Sequence, residues 1–164
     1  LYDPGRWTIF LRTIEDSKIA IQGRNWKIGE VGMSKTVLEV IFPGGKRVDA
    51  KIGKFTIKTD QPVWSGGEGS APEPFQLFLA SIATCAGIYA VSFCQSREMS
   101  TEGMHLTMEC EWDDERKRYS KFSINLKLPK GFDEKYKKAI IRSMDLCAVK
   151  KYMIEPPEFE ITAS

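Results

Sequence analysis

The clearest pattern along the chain is a pair of segments in which apolar and polar residues alternate. Across 103–113, Leu106, Met108, Cys110 and Trp112 alternate with His105, Thr107, Glu109 and Glu111. Across 118–128, Phe122, Ile124, Leu126 and Leu128 alternate with Lys121, Ser123, Asn125 and Lys127. A period of two belongs to strands with one face buried. The polar run Asp113 to Lys117 between them predicts a hairpin turn. Upstream, Thr36 to Phe42, Arg47 to Ile52 and Phe55 to Thr59 are short β-prone runs. The Pro43-Gly44-Gly45 and Gly53-Lys54 turns that part them predict an antiparallel meander. Earlier still, Trp7 to Leu11 and Ile19 to Ile21 flank a polar Glu15 to Lys18 turn, so 6–28 reads as a further hairpin.

The pattern changes at 61–74, a loop rich in Gly and Pro. Pro74 suits the first turn of a helix, where a missing N–H costs nothing. From there to about Arg97 the chain is apolar nearly all round, the signature of a helix buried on most sides. Gln76, Ser81, Thr84 and Ser92 interrupt it, so no unbroken apolar run reaches the ~18 residues of a membrane span. Further on, Asp133 is placed to N-cap a helix over Glu134 to Met144, with Tyr136, Ala139, Ile140 and Ser143 as its buried stripe. A break at Asp145-Leu146 leads to Cys147 and a last helical turn, stopped by Pro156-Pro157. Phe159 to Thr162 reads as a final strand. The elements together predict an α+β fold.

Length and charge narrow the function. The 164 residues suffice for one domain with a real core. Met33-Ser34-Lys35-Thr36 reads as a possible start, so 1–32 is expected to be an N-terminal extension and 33–164 the domain. The net charge of +2 gives no electrostatic reason to expect nucleic acid. Neither a signal peptide nor a membrane segment is read from the pattern, and four sparse Cys fit a reducing cytoplasm better than a disulfide scaffold.

The chemistry therefore rests on Cys85, Cys94, Cys110 and Cys147. Cys110 falls on the apolar side of a strand and reads as a small core hydrophobe. Cys94 lies nine residues after Cys85. At ~100° per residue the two face opposite sides of one helix and cannot pair within it. Cys85 sits among Ala83, Ala86 and Gly87, small neighbours that let a backbone or ligand approach closely. Core packing is the simpler reading there and a reactive thiol the alternative. Cys147 stands beside a helix start, where unpaired N–H groups favour a thiolate. Core and reactive readings are equally open for it. With no C-x-x-C and His105 as the sole His, metal binding and triad hydrolysis are both poorly supported.

A resemblance alters this balance. Pro74 to Cys85, following a Gly-rich loop, resembles the central-helix motif of the OsmC/Ohr family, which ends in the reactive Cys. The hairpin, helix, Asp145 to Val149 and last strand then follow in the family's order, and the likeness covers roughly 34–163. It implies antiparallel sheets wrapped around long central helices in an intertwined homodimer. It also implies reduction of organic hydroperoxides by a peroxidatic Cys85 and a resolving Cys147, with no bound cofactor and with an external dithiol of lipoyl type as reductant. The alternative within the family is a non-catalytic stress or ligand-binding protein with an apolar interfacial pocket. By position, Arg47 is the expected thiolate-stabilising cation, with Lys46 its rival. Peroxidase members carry Glu after the Pro that opens the helix. Phe75 stands there in this chain, and with Phe78 it is expected to line an apolar pocket.

Overall fold

The computed structural model describes residues 36–163. The hairpin expected at 6–28 and the boundary expected after residue 32 lie outside that range. Three short strands come first: β1 (Glu39–Gly44), β2 (Arg47–Ile52) and β3 (Phe55–Ile57). They form an antiparallel sheet in the order β1-β2-β3. Gly44 and Gly45 turn β1 into β2 with φ of 115° and 62°, values that favour glycine. The meander predicted from the turns is present, with β3 two residues shorter than expected.

The sheet leads into a loop built on one carboxylate. Asp60 is buried, and its Oδ2 accepts from the Ser70 hydroxyl at 2.7 Å, the Ser70 N–H at 3.0 Å and the Glu68 N–H at 3.2 Å. Its Oδ1 accepts from the Gln61 N–H at 2.8 Å. The chain folds so tightly around this hub that a Cβ on Gly67 would sit 1.9 Å from the Gln61 carbonyl oxygen. Ser70 N–H and hydroxyl, outweighing burial, bring the Asp60 pKa down to about 2. The loop thereby delivers the chain to Pro74 in a fixed direction.

The first α-helix, α1 (Pro74–Gln95), begins with Pro74 in its first turn. The Glu73 N–H donates to the Gln76 side chain at 3.2 Å, satisfying one donor at the helix start. Although Gln76, Ser81, Thr84 and Ser92 break its apolar run, α1 is by length and mean hydropathy long and apolar enough to cross a membrane. In the fold it is the central helix, with the later elements packed against it.

The hairpin follows as β4 (His105–Asp113) and β5 (Arg118–Lys127), paired from His105–Lys127 to Asp113–Arg118. Leu106, Met108 and Cys110 are half-buried and their polar neighbours exposed, as the alternation requires. The register shifts between Glu111 and Trp112, and beyond the shift Trp112 is exposed. Asp133 then caps the next segment, accepting from the Lys135 N–H at 3.0 Å. That segment opens with a 3-10 turn (Glu134–Tyr136) and continues as α2 (Lys137–Met144). Ile140 of α2, fully buried, meets Ala90, Phe93 and Cys94 of α1 to form the core.

The short α3 (Ala148–Ile154) completes the regular structure. The strand expected at 159–162 is absent. Its alternation survives, but Phe159 and Ile161 are 85% and 94% exposed, and no neighbouring strand lies within the described chain to pair with them. A strand exists only where its N–H and C=O groups find a partner, whatever its side-chain pattern.

Candidate functional site

Cys85 is half-buried at the middle of α1, a rigid position on the longest helix. Three residues earlier on α1, Ile82 offers its carbonyl oxygen 4.0 Å from the Cys147 sulfur. Cys147 is the N-cap of α3 and only 2% exposed. The break after α2 therefore does two things. It drops the Cys147 thiol onto the turn of α1 that carries Cys85, and it aims the free N–H groups of α3 at the Cys85 sulfur.

Burial pushes the Cys85 thiol up, yet its pKa lies below the ordinary value. The Val149 N–H, the Cys147 thiol and the Ala148 N–H lie close enough to favour its thiolate and together outweigh burial. Cys147 moves the other way. Burial raises it, the neighbouring Cys85 sulfur and its charge raise it further, and the Lys150 and Val149 N–H groups offset only part of this. The arrangement is two neighbouring sulfurs that influence each other, one more acidic than usual and the other less.

Tyr89 lies one turn after Cys85 on the same helix. Burial raises its phenol pKa, and the charges of Cys85 and Cys147 raise it further, so the hydroxyl stays protonated beside both sulfurs. The i, i+4 spacing from Cys85 was the signal that marks it in the sequence. The N–H groups of Ala148 and Val149 leave no such mark, because any residue but proline supplies one.

The other expected site residues make contacts of their own. Arg47 is exposed on β2, and its Nε donates to the Gly44 carbonyl at 3.4 Å. All the groups that lower the Cys85 pKa are uncharged, so neither Arg47 nor Lys46 is among them. Phe75 stacks on Tyr119 of β5, with centroids 5.7 Å apart and planes at 7°, and touches Phe78 at 5.4 Å. This aromatic cluster joins the start of α1 to the hairpin. Cys94 is fully buried with its sulfur 3.8 Å from that of Met104, and Cys110 is half-buried.

A cavity of about 500 Å³ opens beside Cys147, between β5 and the helices. Ile82 and Ala86 of α1, Ile140 of α2 and Cys147 line it, with Phe122 and Leu126 of β5 opposite. Phe75, Phe78 and Cys85 are not in its wall. Among the described residues no cluster of three or more His, Cys, Asp or Glu is placed to hold a metal ion.

An antiparallel α+β fold with two neighbouring thiols, one on a long central helix and one at a helix start, defines a class of protein. The family model for OsmC-like protein matches residues 67–162, and the chain belongs to that family. Solved structures agree in fold. A protein of Psychrobacter arcticus, described as an osmotic stress induced and detoxification response protein, is 23% identical with a TM-score of 0.62. The match covers 74% of this chain and 90% of that one. An OsmC like protein of Mycoplasma pneumoniae is 12% identical with a TM-score of 0.60, over 76% and 91% of the two chains. An organic hydroperoxide resistance protein of Elizabethkingia anophelis is 16% identical with a TM-score of 0.51, over 75% and 91%. No curated protein sequence is significantly similar to the chain.

Proposed function

We propose that this OsmC-family protein is a thiol-dependent peroxidase that reduces organic hydroperoxides through Cys85 and Cys147. The observation that carries the reading is the Cys147 sulfur 4.0 Å from the Ile82 carbonyl, one turn before Cys85 on α1, where the two thiols shift each other's pKa in opposite directions. The Cys85 thiolate attacks the distal peroxide oxygen, the O–O bond breaks, and the alkoxide leaves as an alcohol after taking a proton. Tyr89 is the donor at hand. Cys147 then attacks the sulfur of the Cys85 sulfenic acid as a thiolate, a disulfide forms, and water departs. An external dithiol, of lipoyl type by family resemblance, returns both sulfurs to thiols.

The working form is a homodimer in the cytoplasm. Its support is the apolar surface left uncovered in one chain: Phe42 is 78% exposed, Phe55 65% and Ile161 94%. Patches of this kind mark interaction surfaces. The second reading, a non-catalytic stress or ligand-binding protein of the same fold, is favoured by Phe75 in place of the family's Glu and by the uncharged character of the groups that lower the Cys85 pKa among the described residues.

Titration with cumene hydroperoxide separates the two. Peroxidase chemistry consumes two thiols per equivalent of peroxide and yields a Cys85–Cys147 disulfide by mass spectrometry, and Cys85→Ser abolishes turnover. Persistent thiols, or full turnover in that variant, defeat the proposal.

A further inference from the structure

The cavity beside Cys147 meets only one of the two sulfurs, and that asymmetry has a chemical meaning. Cys147 is among the residues that line it, with Ile82 and Ala86, whereas Cys85 is not. A thiolate displaces a disulfide sulfur along the S–S axis, from the side opposite the leaving sulfur. In a Cys85–Cys147 disulfide the only sulfur offered to a group inside this cavity is Cys147. We propose that the cavity is the entry port of the thiol reductant, which attacks Cys147 Sγ through it while the peroxide meets Cys85 from elsewhere. This rests on reading the two cysteines as a peroxidase pair.

The step balances with a dithiol as co-reactant. One thiolate of the reductant bonds to Cys147 Sγ, the S–S bond to Cys85 breaks, and its electron pair leaves on Cys85 as thiolate. The reductant's second thiolate then attacks its own sulfur in the mixed disulfide. Cys147 is released and takes a proton, and the reductant departs as a disulfide, two electrons poorer. The leaving order suits the site, because the sulfur of lower pKa leaves faster and Cys85 is that sulfur.

The walls say what kind of arm carries the thiol. Ile124 and Leu126 of β5 face Ile141 and Met144 of α2 across the space, so the shaft is apolar. The charged groups at its edge are already paired: Lys150 with Asp145 at 2.6 Å, and Lys137 with Glu134 at 3.4 Å. A largely apolar lining with its lysines paired, around a sulfur only 2% exposed, fits a thiol on an uncharged apolar chain.

The test uses the full chain with its disulfide formed by diamide, so that it does not depend on peroxide chemistry. Failure of cumene hydroperoxide to form the same bond counts against the peroxidase reading alone. The oxidised protein is reduced with 6-mercapto-1-hexanol or with 2-mercaptoethanol, quenched with N-ethylmaleimide, and mapped by mass spectrometry. We expect the hexanol adduct on Cys147, maleimide on Cys85, and reduction about tenfold faster with the longer apolar chain. Ile141→Trp fills the shaft at an exposed position and removes that advantage, as does Ile124→Trp from the opposite wall. An adduct on Cys85, equal rates with both thiols, or an undiminished advantage in both folded variants overturns the proposal, as does failure of diamide to form the bond.

Discussion

The Ser143 hydroxyl of α2 donates to the Tyr89 carbonyl of α1 at 3.2 Å, a bond that ties the end of one helix to the turn of the other that follows Cys85. Two residues beyond Ser143 the chain breaks, and Cys147 and α3 come down on the reactive turn. The bond thus helps set where the break falls. Ser143→Ala is expected to cost about 1 kcal/mol in urea unfolding. It should also slow alkylation of Cys85 by iodoacetamide, because the N–H groups of α3 lose their aim. A loss of stability with unchanged alkylation would show that the bond braces the helices without steering α3.

Val149→Pro tests the source of Cys85 acidity directly. Val149 is the second residue of α3, where proline is tolerated because its N–H has no intrahelical partner. Its N–H is the first among the groups that lower the Cys85 pKa. A hydrogen bond to a charged group contributes about 1.5–3 kcal/mol, and 1.4 kcal/mol is a factor of ten. The Cys85 pKa should therefore rise in the variant, and alkylation at neutral pH should slow about tenfold, with circular dichroism unchanged. Alkylation at the parent rate would move the origin of the acidity to some other group.

Tyr89→Phe separates proton delivery from thiolate formation. The phenol is kept protonated by burial and by the two sulfurs, so it has a proton to give to a departing alkoxide. General acid catalysis is worth about 10²-fold or more. Sulfenate formation with cumene hydroperoxide should slow by about that factor, while alkylation of Cys85, which needs no acid, keeps its rate. If both rates fall together, Tyr89 acts on the packing of the site instead.

Asp60 gives the fold a defined acid response. Its folded pKa of about 2 lies below the ordinary 3.8, chiefly through the Ser70 N–H and hydroxyl. A depressed carboxylate stabilises the fold in full above its unfolded pKa, and the contribution is lost as pH falls through the folded one. Urea midpoints of the parent should drop between about pH 4 and pH 2. Asp60→Asn, which cannot lose that charge, should be less stable at neutral pH and show a shallower drop. A parallel pH profile in the variant would assign the acid limb to other groups.

The sequence made some of this legible and hid the rest for physical reasons. The β4–β5 hairpin was readable because one-sided burial imprints a period of two, and α1 because burial on all sides leaves apolar residues at every helical position. Phe159 and Ile161 carry the same period of two, yet no strand forms, since alternation records which side chains want cover and not whether a neighbouring strand exists. Asp60 gave no signal. Its partners at Glu68 and Ser70 are reached by the path of the loop, and backbone donors are invisible to composition. The same holds at the thiols. The break before Cys147 was readable from Asp145-Leu146, but the site's strongest donors are the main-chain N–H groups of Ala148 and Val149. The resemblance pointed to a cation at Arg47, whereas the groups that lower the Cys85 pKa among the described residues lie at the start of a helix.

That difference changes how the thiol responds to its surroundings. A guanidinium beside a sulfur is a mobile charge on a flexible stem, weakened by dissolved ions when it is exposed. Peptide dipoles at the start of α3 are anchored to the main chain and cannot be titrated away. The acidity of Cys85 should therefore hold nearly constant from dilute buffer to molar salt, and it should disappear only when α3 itself unwinds.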